Sequence, residues 1–337
     1  MTLGQAPHDK HRTMVKMKHH TSIAAPVVAG IDVSKAHLDV YLYPAGKRRR
    51  FSNDKTAWRA LRGWLVKAAP DHVVYEATGR YHKGFERYLG GHGLPIARLD
   101  PRRARRFAEA IGVQAKTDPG DACVLAQFGA FLKPATTALS GPALEQLKEL
   151  VAARRGLIQQ GTRIANKSKT AIAPLLKRQL KQTGAQVQRQ IKAIDKACRE
   201  IAASEPALAQ RLAILLSIPS IGEITAMAIL AEMPELGVLN DKQAASLLGV
   251  APIARDSGTF QGKRHIRGGR AKLRQALYMA ALVATRFNPD MKQKYQALIK
   301  NGKPPKVAIT AIMRKLIILA NALIKDNRNW SEIRPCQ

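Results

Sequence analysis

The sequence predicts an α/β N-terminal domain, then a helical segment and a mainly α-helical C-terminal domain. Short apolar strands alternate with amphipathic helices early in the chain, and the strand signal then gives way to helical spacing. The predicted divisions are a disordered basic tail over residues 1–25, the α/β domain over 26–135, a helical hairpin or coiled coil over 141–213, and a C-terminal domain over 214–330.

The α/β domain is predicted from its order of elements. Apolar or alternating stretches indicate strands at residues 27–33, 37–44, 47–53, 72–78 and 94–100. Helices are expected over 54–68, 81–93, 101–112 and 118–132. Asp54 is a typical N-cap, and Pro101 suits the first helical position. Three antiparallel strands followed by strand–helix alternation is the order expected of an RNase H-like domain.

The charge of the chain points to a polyanionic partner. There are 56 Lys and Arg against 24 Asp and Glu, a net charge of +32. A compact chain this basic repels itself unless an anion neutralises it, so nucleic acid is the first expectation and an anionic membrane surface the second. We find no apolar run near the ~20 residues that span a bilayer and no signal peptide. The three cysteines form no pair, which favours a reducing cytoplasm.

Four acids form a candidate metal site in this basic chain. Asp32 and Glu76 each end a predicted strand, while Asp118 and Asp121 are three residues apart at the start of a predicted helix. Carboxylate oxygens suit Mg²⁺, and a crowded set of acids is tolerable when cations lie between them. The alternatives are ordinary ones. Asp118 can cap the helix, Asp121 can favour its dipole, and Asp39 competes with Asp32.

A second motif is "RDSGTFQGKRHIRGGR", which holds Ser257 and is predicted to be a glycine-rich basic loop that enters a helix. Its glycines and cations suit a phosphate. The predicted basic contacts in and after it are Lys263, Arg264, Arg267, Arg270, Lys272 and Arg274. A serine before glycine is usually a turn residue. Ser217 and Ser220, in "LLSIPSIG", lie in a predicted turn between helices, and Tyr278 is expected in a helix core.

Two further features concern partners. The helical segment over 141–213 is predicted to break near Pro174 and Gly184, as an oligomerising hairpin or as a helix pair packed inside one subunit. Another basic cluster holds Arg102, Arg103 and Arg106, which can share one helix face. Aromatic residues make up only 5% of the chain, so backbone and shape contacts to duplex DNA or structured RNA fit better than base stacking.

The chain resembles the DEDD transposases of bacterial insertion sequences. The resemblance is carried by "GIDVSKAHLDV", "YEATGRY", "RRARRFAEAIGVQAKTDPGDACVLAQF" and, in the second half, "LLSIPSIGEITAMAILAEM" and "LLGVAPIARDSGTFQGKRHIRGGRAKLRQALYMAAL". It covers about residues 27–330. It implies a RuvC-like N-terminal domain of the RNase H fold, with Asp32, Glu76, Asp118 and Asp121 binding Mg²⁺.

For the C-terminal transposase domain, the resemblance implies that Ser257 attacks DNA and forms a covalent phosphoserine link. Some members of the family are bridge-RNA-guided recombinases, so a guide RNA is an implied partner beside donor and target DNA. We therefore expect a cytoplasmic, nucleoid-associated homo-oligomer, a dimer or tetramer. The alternatives are a RuvC-like junction nuclease that uses metal-activated water, and a non-catalytic nucleic-acid-binding protein.

Overall fold

The structure, a computed structural model, describes residues 25–79, 81–113 and 118–330, with only the backbone of residues 118 and 119. Nearly all of the predicted tail over 1–25 lies outside the described residues, as does Cys336. The chain divides into two compact units, the first ending at Leu139 and the second beginning at Ser140.

The first unit is built on one mixed sheet of five strands. The strands are β1 (Val28–Val33), β2 (His37–Tyr43), β3 (Lys47–Ser52), β4 (His72–Glu76) and β5 (Ile96–Leu99). Their order in the sheet is β3-β2-β1-β4-β5. The first three strands are antiparallel, while β4 and β5 run parallel to β1. This mixed α/β sheet confirms the fold class expected for the first part of the chain.

Helices cover both faces of this sheet. They are α1 (Lys55–Ala68), α2 (Lys83–Gly91), α3 (Pro101–Ala110) and α4 (Asp118–Leu132). The Asp54 carboxylate caps α1 by accepting from the backbone N–H groups of residues 56 and 57. Helices α1 and α2 pack on the face of Ile31 and Tyr75, and α3 and α4 pack on the opposite face, with Val28 and Val74.

The second unit is mainly helical. Its helices are α5 (Pro142–Thr170), α6 (Pro174–Ser204), α7 (Pro206–Ser217), α8 (Glu223–Glu232), α9 (Asp241–Leu248), α10 (Ala271–Phe287), α11 (Pro289–Lys300) and α12 (Pro305–Lys325). One apolar core joins α7 to α12 with the inner ends of α5 and α6. The capping box of Asn240 and Gln243 starts α9, and Gly249 ends it in the left-handed conformation.

Helices α5 and α6 form a long hairpin, but the predicted break at Gly184 is wrong. The chain turns at residues 171–173, and Pro174 is the first residue of α6. Gly184 lies inside α6, where a Cβ would come no closer than 3.7 Å to the Ile164 side chain. A glycine costs a helix about 1 kcal/mol, which the packing of Val187 and Ile191 offsets.

The expectation that no apolar run approaches membrane-spanning length needs correction, because helix α12 is, among the described residues, long and apolar enough to cross a membrane by length and composition. Half of the apolar stretch of α12 is buried inside the unit. Ile312, Leu316 and Ile317 belong to the main core. These properties are those of a central core helix.

Candidate functional site

Two of the four predicted acids are neighbours in the sheet. The parallel register pairs Ile31 with Tyr75, so the next residues, Asp32 and Glu76, lie side by side at the ends of β1 and β4. Both are half-buried. Because side chains alternate along a strand, Asp32 shares the sheet face of Gly30, and both acids project from the face that α4 covers.

Helix α4 crosses β1 at very close range. A Cβ on Gly30 would lie 2.0 Å from the Ala122 carbonyl oxygen and 2.4 Å from the Ala126 nitrogen. Further along the helix, a Cβ on Gly129 would meet the side chains of Val28 and Val74. The helix therefore runs antiparallel to β1. Its first turn, with residues 118 and 121, lies at the end of the sheet that carries Asp32 and Glu76.

The donor set at this sheet end fits a hard divalent cation. Asp32, Glu76 and Asp121 are half-buried carboxylates, and oxygen is the ligand atom that Mg²⁺ prefers. No group of three potential metal ligands forms among the described side chains, but the predicted fourth member, the side chain of Asp118, lies outside them.

Asp39, the competing acid, has a structural partner. It is the cross-strand neighbour of Asp32, but its carboxylate accepts hydrogen bonds of 2.7 and 2.9 Å from the Arg50 guanidinium on β3. Such a bidentate pair uses both carboxylate oxygens of Asp39.

One amide connects the loops that follow the two acid-bearing strands. The Asn53 side chain donates to the carbonyls of Ser34 and Tyr81, at 2.9 and 3.1 Å, and accepts from the Trp58 indole at 3.0 Å. Ser34 follows β1 and Tyr81 lies beyond β4. No local pattern in the sequence marks Asn53, because these two carbonyl partners are 19 and 28 positions away.

A buried polar cluster lies on the other face of β4. Glu86 is 3.5 Å from His82 and 3.4 Å from Arg98. Burial lowers the pKa of His82, although the Glu86 carboxylate acts in the opposite direction. Burial and the same carboxylate raise the pKa of Tyr75. Burial therefore favours the neutral form of His82, although Glu86 and a backbone hydrogen bond with Thr78 favour the charged form.

The segment around Ser257 is a β-hairpin rather than the predicted loop. The outer strands β6 (Pro252–Ile253) and β9 (His265–Ile266) pair antiparallel, and so do the inner strands β7 (Asp256–Ser257) and β8 (Phe260–Gln261). All four strands are exposed. Ser257 is thus presented at the tip of a projecting hairpin, outside the core of the unit.

Two of the predicted basic contacts are engaged within the protein. Arg270 donates two hydrogen bonds to Glu235, of 2.6 and 2.7 Å. Arg274 donates to the carbonyl of Gly268 at 2.7 Å and more weakly to those of Leu248 and Gly249. Both arginines therefore fasten the base of the hairpin to α9 and to the turn after α8.

Glycines allow this attachment. A Cβ on Gly269 would lie 2.3 Å from the Gly249 nitrogen, and one on Gly249 would lie 2.3 Å from the Gly268 carbonyl oxygen. Only residues without a side chain let the two backbones approach so closely. The cations that remain exposed are Lys263, Arg264, Arg267 and Lys272, of which Arg264 pairs with Asp256 at 3.0 Å.

The other hydroxyl candidates are placed differently. Ser217 donates to the Ile214 carbonyl and accepts from the Trp330 backbone N–H, at 2.7 and 2.8 Å, so its hydroxyl has structural partners. Ser220 has a φ of 91° and a buried hydroxyl without a partner among the described residues. Tyr278, expected in the core, is 36% exposed because it lies on the outer face of α10.

The three arginines predicted to bind nucleic acid, Arg102, Arg103 and Arg106, are exposed on α3. Arg103 also stacks over the Phe128 ring, with its guanidinium carbon 5.3 Å from the ring centroid. Arg102 and Arg106 form no ion pair within the described part of the chain. The exposed face therefore presents cations to solvent, as a phosphate-binding surface would.

A mixed sheet of this order, with acids at the ends of β1 and β4 and a helix that starts beside them, is typical of RNase H-like enzymes that act on nucleic acids. Comparison with known proteins is more specific. Residues 29–177 match the model of the IS110-type DEDD transposase domain. Residues 212–296 match the model of the transposase IS116/IS110/IS902 family. The two matches, in order along one chain, identify it as an IS110/IS116 family transposase with a DEDD transposase domain.

Individual relatives agree with this identification. The chain is 27% identical over 317 residues to the pilin gene-inverting protein of Moraxella bovis, covering 90% of this chain and 97% of that one. It is equally similar to the protein of the same name from Moraxella lacunata. A 42 kDa protein of insertion element IS900 from Mycobacterium paratuberculosis is 32% identical over 118 residues, which is 34% of this chain and 29% of the relative.

Proposed function

We propose that this transposase breaks and rejoins DNA strands, using the four acids to bind Mg²⁺ and Ser257 as the nucleophile. One observation carries the proposal. Asp32 and Glu76 adjoin at the ends of two parallel strands, on the face that the start of α4 reaches. Carboxylates gathered at one sheet end supply the oxygen ligands that Mg²⁺ prefers.

The four acids would hold the cation. Asp32, Glu76, Asp118 and Asp121 supply hard oxygen ligands from two strands and one helix. Bound Mg²⁺ would neutralise charge on the phosphate and on the oxygen that leaves. The parallel pairing of β1 with β4 sets the spacing of Asp32 and Glu76, and the Asn53 amide joins the segments that follow the two strands.

The serine step conserves the phosphodiester. The Ser257 hydroxyl loses its proton to solvent or to a carboxylate, and its oxygen forms a bond to phosphorus. The bond from phosphorus to one deoxyribose oxygen breaks, and that oxygen takes up a proton. Because a phosphate ester replaces a phosphate ester, a strand hydroxyl can reverse the step on a new end, which rejoins DNA without an energy source.

Charge and the relatives' names support DNA as the substrate. The exposed cations of the hairpin and of α3 are suited to the phosphate backbone. The names of the Moraxella relatives describe inversion of a gene, which requires cutting and rejoining at two sites. We extend this chemistry to the present chain, acting in the cytoplasm on donor and target DNA.

Trapping a protein–DNA adduct tests the proposal. With Mg²⁺ and DNA that spans the boundary of the element, the full chain should form an adduct that survives denaturation and maps to Ser257. Ser257→Ala should abolish it, while Thr259→Ala, a hydroxyl on the same turn, should retain it. Asp32→Asn and Asp118→Asn should abolish it too, whereas Asp39→Asn should not, because Asp39 pairs with Arg50.

Each other outcome rejects a defined part of the proposal. Cleavage that needs the acids but survives Ser257→Ala without an adduct would indicate a junction nuclease. Salt-sensitive binding with no cleavage by the full chain would indicate a non-catalytic nucleic-acid-binding protein. A functional Thr259→Ala together with an inactive Ser257→Ala is the result that the serine mechanism requires.

We also propose a guide RNA and a homo-oligomer, a dimer or tetramer. The shortage of aromatic residues and the excess of cations favour backbone contacts, so base pairing with an RNA could supply sequence specificity. The turn of the α5–α6 hairpin exposes Ile172 and Leu175, which a second subunit could cover. Sequencing the RNA that copurifies with the protein tests the first idea, and light scattering of Ile172→Glu tests the second.

A further inference from the structure

The tip of the hairpin is a two-residue turn that places the side chains of Ser257 and Phe260 on the same face. Ser257 and Phe260 are directly opposite each other, and the turn between them contains Gly258, whose φ is +54°. Glycine at the first turn position, followed by a residue without positive φ, is typical of a type II′ hairpin. Directly opposed residues project from the same face, so the Ser257 hydroxyl and the Phe260 ring are neighbours.

A third side chain shares that face. The printed pairing ends at Asp256 and Gln261. Beyond it, a Cβ built on Gly262 would lie 2.5 Å from the Arg255 carbonyl oxygen, 3.2 Å from the Arg255 Cβ and 3.2 Å from the Phe260 ring. The ring therefore lies along β8 over Gly262. We refer to Arg255, Ser257 and Phe260 as the Phe260 face.

The opposite face of the hairpin holds its acid. Asp256 is the single Asp or Glu between residues 252 and 270. Its carboxylate accepts a hydrogen bond of 3.0 Å from Arg264. Because side chains alternate along a strand, the Phe260 face presents a cation, a hydroxyl and an aromatic ring to solvent, with no carboxylate from the hairpin among them.

The Phe260 ring has no role in the fold of its own unit. It is 67% exposed and belongs to none of the core clusters. A single exposed apolar residue needs no explanation. Here, however, the ring is next to the proposed nucleophile, beside a cation, in a strongly basic segment. An aromatic ring in such a place can stack on a base or enter a base step.

We propose that the Phe260 face binds one nucleotide of the DNA strand, with Phe260 against its base and Arg255 on its phosphate. The part of the proposal that places this nucleotide next to the attacked phosphate rests on the proposed role of Ser257. DNA is the stated partner because the ring adjoins the hydroxyl assigned to the DNA strand. Contact with RNA alone is an outcome that would reject the proposal.

Photocross-linking tests the contact directly. Duplex DNA that spans the element boundary is substituted with 5-iododeoxyuridine at one position at a time, and cross-linked residues are identified by mass spectrometry. We expect cross-links to residue 260 from one or two adjacent positions, retained in Phe260→Trp and lost in Phe260→Ala. Phe287→Ala is the matched control, since Phe287 is 72% exposed and lies outside the hairpin.

Affinity and its salt dependence separate the two side chains. Loss of one stacked base should weaken binding by Phe260→Ala about tenfold without changing the salt slope. Arg255→Ala should make the fall of log affinity with log salt shallower by about 0.9, the value expected for one lost phosphate contact. Gly262→Ala should also weaken DNA binding, because its Cβ would lie 2.5 Å from the Arg255 carbonyl oxygen and 3.2 Å from the Phe260 ring and would displace both.

The outcomes distinguish this proposal from the serine mechanism. Cross-linking that persists in Ser257→Ala supports the Phe260 face whether or not Ser257 is the nucleophile. An adduct that still forms in Ser257→Ala would reject the serine mechanism while leaving the cross-link as evidence for the face. Equal affinity and equal cross-linking for Phe260→Ala and Phe287→Ala, or cross-links to iodouridine-labelled RNA but not to DNA, would overturn the proposal.

Discussion

Replacing Gly30 with alanine tests whether α4 is seated directly on β1 beside the acids. The new Cβ would lie 2.0 Å from the Ala122 carbonyl oxygen, roughly 1.4 Å short of the 3.4 Å at which ordinary contact begins. The Cβ would also lie 2.4 Å from the Ala126 nitrogen. This nitrogen and the Ala122 oxygen belong to the backbone of α4, so neither can rotate out of the way. The helix must move away from the strand, or the strand must bend.

The expected cost follows from this overlap. Overpacking of a close contact typically costs about 1–3 kcal/mol of unfolding free energy. The displacement also separates the start of α4 from Asp32, and a misplacement of about 1 Å can cost an enzyme about 100-fold in rate. Gly30→Ala should therefore lower both the urea midpoint and the rate of Mg²⁺-dependent strand cleavage.

Two other glycines provide controls of graded severity. At Gly63, in α1, a Cβ would meet nothing within 4 Å, so Gly63→Ala should stabilise the protein by about 0.5–1 kcal/mol. At Gly129 the Cβ would lie 2.6 and 2.7 Å from the Cγ atoms of Val28 and Val74. These contacts are longer than the one at Gly30 and involve side chains, so the cost should be smaller than at Gly30. Full stability and full cleavage by Gly30→Ala would refute the close seating of α4.

Two pH effects follow from the buried charges. Burial lowers the pKa of His82 from its ordinary value of 6.5, so the unfolded chain binds a proton that the folded chain does not. Stability should then fall as the pH drops below about 6.5, and His82→Gln should flatten that slope in urea titrations; an unchanged slope would contradict this. Burial alone would raise the pKa of Glu235, but Arg270 holds it below its ordinary 4.5. The stability that the Glu235–Arg270 pair contributes should be lost as the pH falls through the lowered pKa of Glu235. Glu235→Gln should remove the same contribution at neutral pH, which faster hydrogen exchange of residues 263–270 would detect.

Strand β2 could be predicted closely because one of its faces is buried and the other is partly exposed. In β2, Leu38, Val40 and Leu42 are buried while the residues between them are not, and the predicted strand over 37–44 ends one residue from the observed end. Gly184 misled the prediction for the opposite reason. Helix propensity is a weak local preference, and packing between two long helices overrides it.

The candidate acids could be predicted in part, since Asp32 and Glu76 each end a strand and parallel strand ends meet at one sheet edge. Their actual register depends on pairing between residues more than 40 positions apart, which no local pattern reports. The hairpin was missed although its signal was present: Gly258 lies between two short stretches, a glycine position typical of a two-residue turn. Its cations were assigned by type, whereas the roles of Arg270 and Arg274 depend on distant backbone carbonyls and on Glu235.

Close glycine contacts hold the backbone beside both candidate motifs, the acids at the ends of β1 and β4 and the hairpin that carries Ser257. At Gly30 and at the Gly249–Gly269 pair, backbone meets backbone without an intervening side chain, so the spacing is set by covalent geometry and not by flexible rotamers. A cation site with ligand distances near 2 Å requires such fixed spacing, and so does a hydroxyl that must meet one phosphate. If rigid spacing is what these contacts provide, Gly269→Ala should impair covalent attachment of DNA while leaving the Phe260 cross-link detectable. If Gly269→Ala retained full covalent attachment of DNA as well as the Phe260 cross-link, the base of the hairpin would be free to shift and the reasoning would be wrong.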